Sequence, residues 1–149
     1  VHLSPSSFEE LRVPVRRAEV RIDTEHQDRE VVLFLAPETS PEDLFEQDAA
    51  FFPAEHEGHI LLFARSAVVS IVVDDNKEES LSLLGIPCEK RPVAVHLRNG
   101  KVISGTVEAI GRTRTLDLLN QPARSFAVRS DGKIHLVAKA HVEHIVEIR

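Results

Sequence analysis

The residue types best suited to chemistry are the eight histidines, and two pairs of them, His56 with His59 and His141 with His144, are spaced by three. On a helix that spacing would put both imidazoles on one face and suit a metal ion; in strand or loop, where both pairs are predicted, residues three apart point to opposite faces. Structural or surface histidines are expected, and no metal site. A dispersed active site would need several of His56, His96, His135 and Asp117 in one pocket. Cys88 follows Pro87 and precedes Glu89-Lys90-Arg91, whose two cations would favour a reactive thiolate. Its place at the start of a predicted strand favours a small, partly buried residue instead. The chain has no Gly-rich phosphate loop, nucleophile elbow or metalloprotease helix. The expectation is a protein that is not an enzyme and holds no cofactor.

Binding chemistry is better represented. Six of the seven phenylalanines lie in the first half, and Phe51-Phe52-Pro53 is their densest cluster. Most must fill a core in so small a β unit, but Phe51 and Phe52 are the candidates for a partner-binding patch. Arg98, Lys101, Arg112 and Arg114 of the second half are the candidates for RNA contacts, with Arg124 and Arg129 adding positive charge. Against that reading, the chain contains neither Tyr nor Trp for base stacking.

Charge is distributed unevenly behind the net value of −6. Residues 1–75 hold 6 basic and 16 acidic side chains, a balance of −10, whereas 76–149 hold 12 and 8, a balance of +4. Such asymmetry favours contact between the halves or head-to-tail association of molecules and disfavours nucleic acid on the first half; drift of solvated surface charge is the alternative reading. With 42% hydrophobic and 28% charged residues among 149, the composition is that of a folded globule. The single cysteine excludes an internal disulfide and fits a reducing compartment, so a cytoplasmic location is expected. No apolar run approaches the roughly 20 residues that span a bilayer, and the first residues lack the layout of a secretion signal; no membrane association is expected.

The elements that must position these residues are revealed by self-similarity. Gly58-His59-Ile60-Leu61-Leu62-Phe63-Ala64 through Ile71-Val72 aligns without gaps on Gly132-Lys133-Ile134-His135-Leu136-Val137-Ala138 through Ile145-Val146, with seven of fifteen positions identical at an offset of 74. The offset also aligns Asp43-Leu44-Phe45 with Asp117-Leu118-Leu119, and Phe52 with Phe126. Two units are predicted, 1–75 and 76–149. None of His59, His135, His141 and His144 recurs in the other copy, which again argues against a shared metal site.

Strands are predicted at 19–22, 30–36, 60–65 and 68–73 in the first unit, and at 93–97, 101–107, 133–139 and 142–148 in the second, on their β-branched content. Asn99-Gly100 predicts a type I′ hairpin turn. Residues 40–47 and 115–120 are open between one helical turn, favoured by Ser40-Pro41-Glu42-Asp43, and a short third strand. Short leading helices are predicted at 6–11 and 76–85, from the capping-box spacing of Ser6 and Glu9 and from Asn76 and Gly85.

The order of helix and about five short strands, with Val93 to Leu97, Asn99-Gly100 and Ser104-Gly105-Thr106-Val107, resembles the first motif region of Sm-like proteins over about 30 residues of the second unit. The pattern Ile103-Ser104-Gly105-Thr106, Leu116-Asp117-Leu118-Leu119-Asn120, Phe126-Ala127-Val128 and Ile134-His135-Leu136-Val137 looks more like a bacterial family of small β domains of unknown function. Lys139-Ala140-His141 stands where RNA-binding Sm proteins carry a late Arg-Gly or Lys-Gly, which weakens the RNA inference. The expected fold is all-β with short helices: two tandem antiparallel Sm-like or SH3-like barrel repeats related by approximate two-fold symmetry. The expected function is non-catalytic interaction with another protein or a second copy of the chain; Sm-like RNA binding by the basic second repeat is the alternative.

Overall fold

In a computed structural model the described residues are 15–75, 85 and 87–148, and the leading helices predicted at 6–11 and 76–85 lie outside them apart from Gly85. The chain divides into two compact units, Val1–Ile71 and Val72–Arg149.

In the first unit, β1 (Arg16–Asp23) and β2 (Asp28–Leu35) form a hairpin, with Val20 opposite Val31 and Ile22 opposite Arg29. A one-turn helix α1 (Asp43–Glu46) follows, then β3 (Phe51–His56) and β4 (His59–Ala64). A 3-10 turn (Arg65–Ala67) leads into β5 (Ser70–Asp74), which begins in this unit. The strand order is β5-β1-β2-β3-β4. Alternate residues point inward, as the two-residue period of a strand requires: Val20, Ile22, Val31, Leu33, Leu35, Phe52, Ala54 and Phe63 are buried together with Leu44 and Phe45 of the helical turn. Asp23 fastens the β1 end: its carboxylate accepts from Arg21 and from the Ser70 hydroxyl, and its carbonyl accepts from the Val69 amide.

The second unit runs through the same kinds of element in the same order. β6 (Cys88–Leu97) and β7 (Val102–Ile110) pair from Cys88 opposite Ile110 to His96 opposite Val102. The helical turn α2 (Thr115–Leu119) precedes β8 (Ser125–Ser130) and β9 (Lys133–Ala138), and a 3-10 turn (Lys139–His141) precedes β10 (Val142–Glu147). The order is β10-β6-β7-β8-β9, and Val93, Val95, Leu97, Val107, Ala109, Val128 and Val137 form the core.

All-β architecture with antiparallel pairing is therefore present. In neither unit do the end strands of the order pair with each other, so the sheet is open where barrel closure was expected. The ambiguous segments are helical turns. β3 and β8 lie outside the segments predicted as strands, and β3 contains Pro53. Proline lacks an amide donor and argues against an interior strand. The structure accommodates it because the pairing of β2 with β3 joins Val32 to Glu55 and Leu33 to Ala54 and ends just before Pro53.

The turns also differ from expectation. Asn99-Gly100 is not a type I′ turn: Gly100 has φ of 90°, Asn99 is not among the residues with positive φ, and the Gly100 amide donates to the Leu97 carbonyl at 3.0 Å. That is a three-residue loop in which glycine takes the left-handed position after a tight turn. The two-residue turns with positive φ at both centres are Glu57-Gly58 and Asp131-Gly132.

Candidate functional site

Two surfaces, one in each unit, gather the binding residues. In the first unit the inward alternation of β3 and β4 dictates what faces outward. Phe51 is opposite Ala64, Pro53 opposite Leu62 and Glu55 opposite Ile60, so these six side chains share the outer face of the hairpin. Phe51 is 62% and Leu62 69% exposed. β4 ends the strand order and pairs only with β3 among the described residues, leaving one side of its backbone as an unpaired edge. Arg17 connects this face to its neighbours, with its guanidinium 5.6 Å from the Phe34 ring centroid and 3.8 Å from Glu55.

The two phenylalanine candidates thus separate. Phe51 belongs to the exposed face, while Phe52 is 6% exposed and stacks on Phe63 with ring centroids 5.7 Å apart. Phe52 is a core residue and cannot contact a partner while the unit stays folded.

In the second unit a cleft of about 490 Å³ opens between the start of β6, the segment leading into α2 and the end of β10. Lys90, Arg91, Arg112 and Arg114 bring four cations to its walls, against the acids Glu89 and Glu147. Arg91 is held in place, 3.2 Å from Glu89 and donating at 3.3 Å to the hydroxyl of buried Thr115. Arg114 meets Asp117 through two hydrogen bonds, of 2.9 and 3.2 Å. The hydrogen bond is also the main reason that the Arg114 guanidinium is pushed above its usual value and the Asp117 carboxyl is held below its own. Pro92, Leu116 and Ile148 supply apolar wall.

The four RNA candidates are split by this arrangement. Arg112 and Arg114 line the cleft, but Arg98 and Lys101 lie at the hairpin tip, beyond the opposite end of β7, about 25 Å of strand away at the usual rise per residue. Arg98 is engaged there, donating to the Ala140 carbonyl at 2.9 Å.

The histidines also have fixed places. The Glu57-Gly58 turn makes His56 and His59 direct cross-strand neighbours, correcting the expectation that their spacing puts them on opposite faces. His56 Nδ1 is 2.9 Å from the Glu30 carbonyl oxygen. His96 and His144 are register partners on β6 and β10, their rings stacked at 4.3 Å. No group of three or more His, Cys, Asp or Glu side chains suited to a metal ion occurs among the described residues. His96, His135 and Asp117 do not line the cleft. Cys88 is half-buried at the start of β6.

Sequence reasoning missed Lys90, Arg91 and Thr115 as companions of Arg112 and Arg114. The available signal was the pairing of β6 with β7, which brings the start of one beside the end of the other. No helix among the described residues is long and apolar enough to cross a membrane. Comparison of the chain with protein-family models, with curated proteins and with solved structures returned no match.

Proposed function

We propose that the protein is a non-catalytic interaction module whose first unit takes up a basic, extended segment of another protein along β4. The observation that carries this reading is the exposure of Phe51 and Leu62 on one face of a hairpin whose outer strand is an open edge. An added strand would gain main-chain hydrogen bonds from the edge and seat alternate side chains on the apolar face. The balance of −10 in residues 1–75 favours a basic segment. The recurrence of the same elements in the same order supports reading the units as tandem copies of one small, open barrel-like repeat.

The test is retention of protein and RNA, from lysate with and without nuclease treatment, by the intact chain and by a variant carrying Phe51→Ser and Leu62→Ser. A defined partner lost from the variant supports the reading. Equal retention by both forms, or recovery only of nuclease-sensitive RNA, overturns it.

A further inference from the structure

We infer that the cleft of the second unit binds a small phosphomonoester, a phosphate dianion carried on a compact apolar body. Three features of the cleft select this class. The first is charge. Four cations face two acids, and two of the cations, Lys90 and Arg112, have no carboxylate partner among the described residues. With Asp117 on Arg114 counted, the net surplus is one positive charge, and a phosphomonoester, which carries about −1.5 to −2 at neutral pH, would engage both of the unpartnered cations.

The second is preorganisation. Arg91 is only 21% exposed and is fixed between Glu89 and Thr115, so its planar donors are already oriented without loss of side-chain freedom on binding. Arg114 is exposed and is oriented by its two hydrogen bonds to Asp117. Lys90 and Arg112, without a carboxylate partner among the described residues, would then meet the oxygens that Arg91 and Arg114 leave open.

The third is shape. The cations converge on one concave space of about 490 Å³ instead of tracking along a groove. A polymer needs a track of positive charge, and the remaining basic candidates, Arg98 and Lys101, stand at the far end of β7. Leu116 is 60% and Ile148 49% exposed in the free protein, and with Pro92 they form a wall that an apolar ester group would cover. Inorganic phosphate would satisfy the cations but leave that wall in water.

Phenyl phosphate, inorganic phosphate and single-stranded decauridylate, titrated separately into the intact isotope-labelled chain at constant ionic strength, test the assignment by amide chemical shifts. Phenyl phosphate is expected to move the amides of residues 89–91, 112–116 and 147–148 saturably, and inorganic phosphate to move the same amides at least threefold more weakly. Lys90→Gln with Arg112→Gln should weaken phenyl phosphate at least tenfold while the remaining resonances keep their positions. Arg98→Gln with Lys101→Gln should leave it unchanged. Absence of saturable shifts at those amides, or equal affinity in the Lys90→Gln, Arg112→Gln protein, overturns the inference. So does decauridylate binding more tightly than phenyl phosphate, which would make the cleft part of an RNA surface.

Discussion

A side-chain carbon placed on Gly105 would stand 2.2 Å from the carbonyl oxygen of Arg129 and 2.9 Å from a methyl of Val128. Thr106, the next residue, is the one paired with Arg129 where β7 meets β8, so the close approach lies at the join of two hairpins. Backbone is what a methyl group would strike, and backbone in a paired strand cannot step aside cheaply.

Gly105→Ala should therefore destabilise the protein by about 2 kcal/mol or more, in the upper part of the range for overpacked sites. Gly100→Ala meets nothing within 4 Å and is strained only by its φ of 90°, a cost of about 1–2 kcal/mol. Urea midpoints of the two variants check the order. A Gly105→Ala protein as stable as the wild type would show that β7 and β8 do not approach as described.

Phe51 and Phe52, adjacent in sequence, should differ sharply. Phe52→Ala removes a buried ring stacked on Phe63 and should cost about 3–5 kcal/mol. Phe51→Ala removes an exposed ring and should change stability by about 0.5 kcal/mol or less. Thermal unfolding of both variants reads the difference directly. Comparable losses would place Phe51 in the core and remove the basis for the docking face.

Arg129 holds two acids of its own unit. It pairs with Asp75 and lies 3.2 Å from Glu108, whose carboxylate is largely buried. Arg129→Met would leave those carboxylates uncompensated and should cost about 3 kcal/mol or more. Lys133→Met breaks a pair with exposed Asp74 and should cost about 1 kcal/mol at most. Denaturant unfolding at neutral pH separates the two; similar small losses would contradict the buried placement of Glu108.

The Arg114–Asp117 pair gives a pH prediction of definite sign. Asp117 titrates below the ordinary carboxylate range, first because of the hydrogen bond from Arg114 and further through its positive charge. A carboxyl lowered on folding contributes stability that is present above its unfolded value and is lost as pH falls through the lowered folded value. Both side chains are exposed, so the contribution is small and the direct readout is the titration itself. Carbon-detected NMR should show Asp117 protonating at lower pH in the wild type than in Arg114→Gln. Identical titrations would show that the hydrogen bonds do not persist in solution.

Much of the fold was legible because strand periodicity and β-branched composition are local signals. The hairpin of β6 and β7 and the helical turns α1 and α2 follow from residues close in sequence. β3 was not predicted; it holds Pro53, which a strand accommodates where its neighbour stops pairing just before it, and where β2 stops is a tertiary fact. The turn at Asn99-Gly100 escaped because the dipeptide is compatible with more than one loop length, and only the register of Leu97 with its partners selects one. His56 and His59 were misplaced for a related reason: the period of a continuous strand does not hold across a turn, and Glu57-Gly58 reverses the chain between them.

By itself the sequence determined an all-β chain with recurring segments and an acidic half followed by a basic one, because composition, charge and alternation are properties of residues and their near neighbours. Tertiary structure alone decided which phenylalanine is exposed, which strand is left as an edge, and which arginines meet. Side chains far apart in the chain, such as Arg91 and Thr115, come together only through strand register, and a one-residue change in register would turn each to the other face.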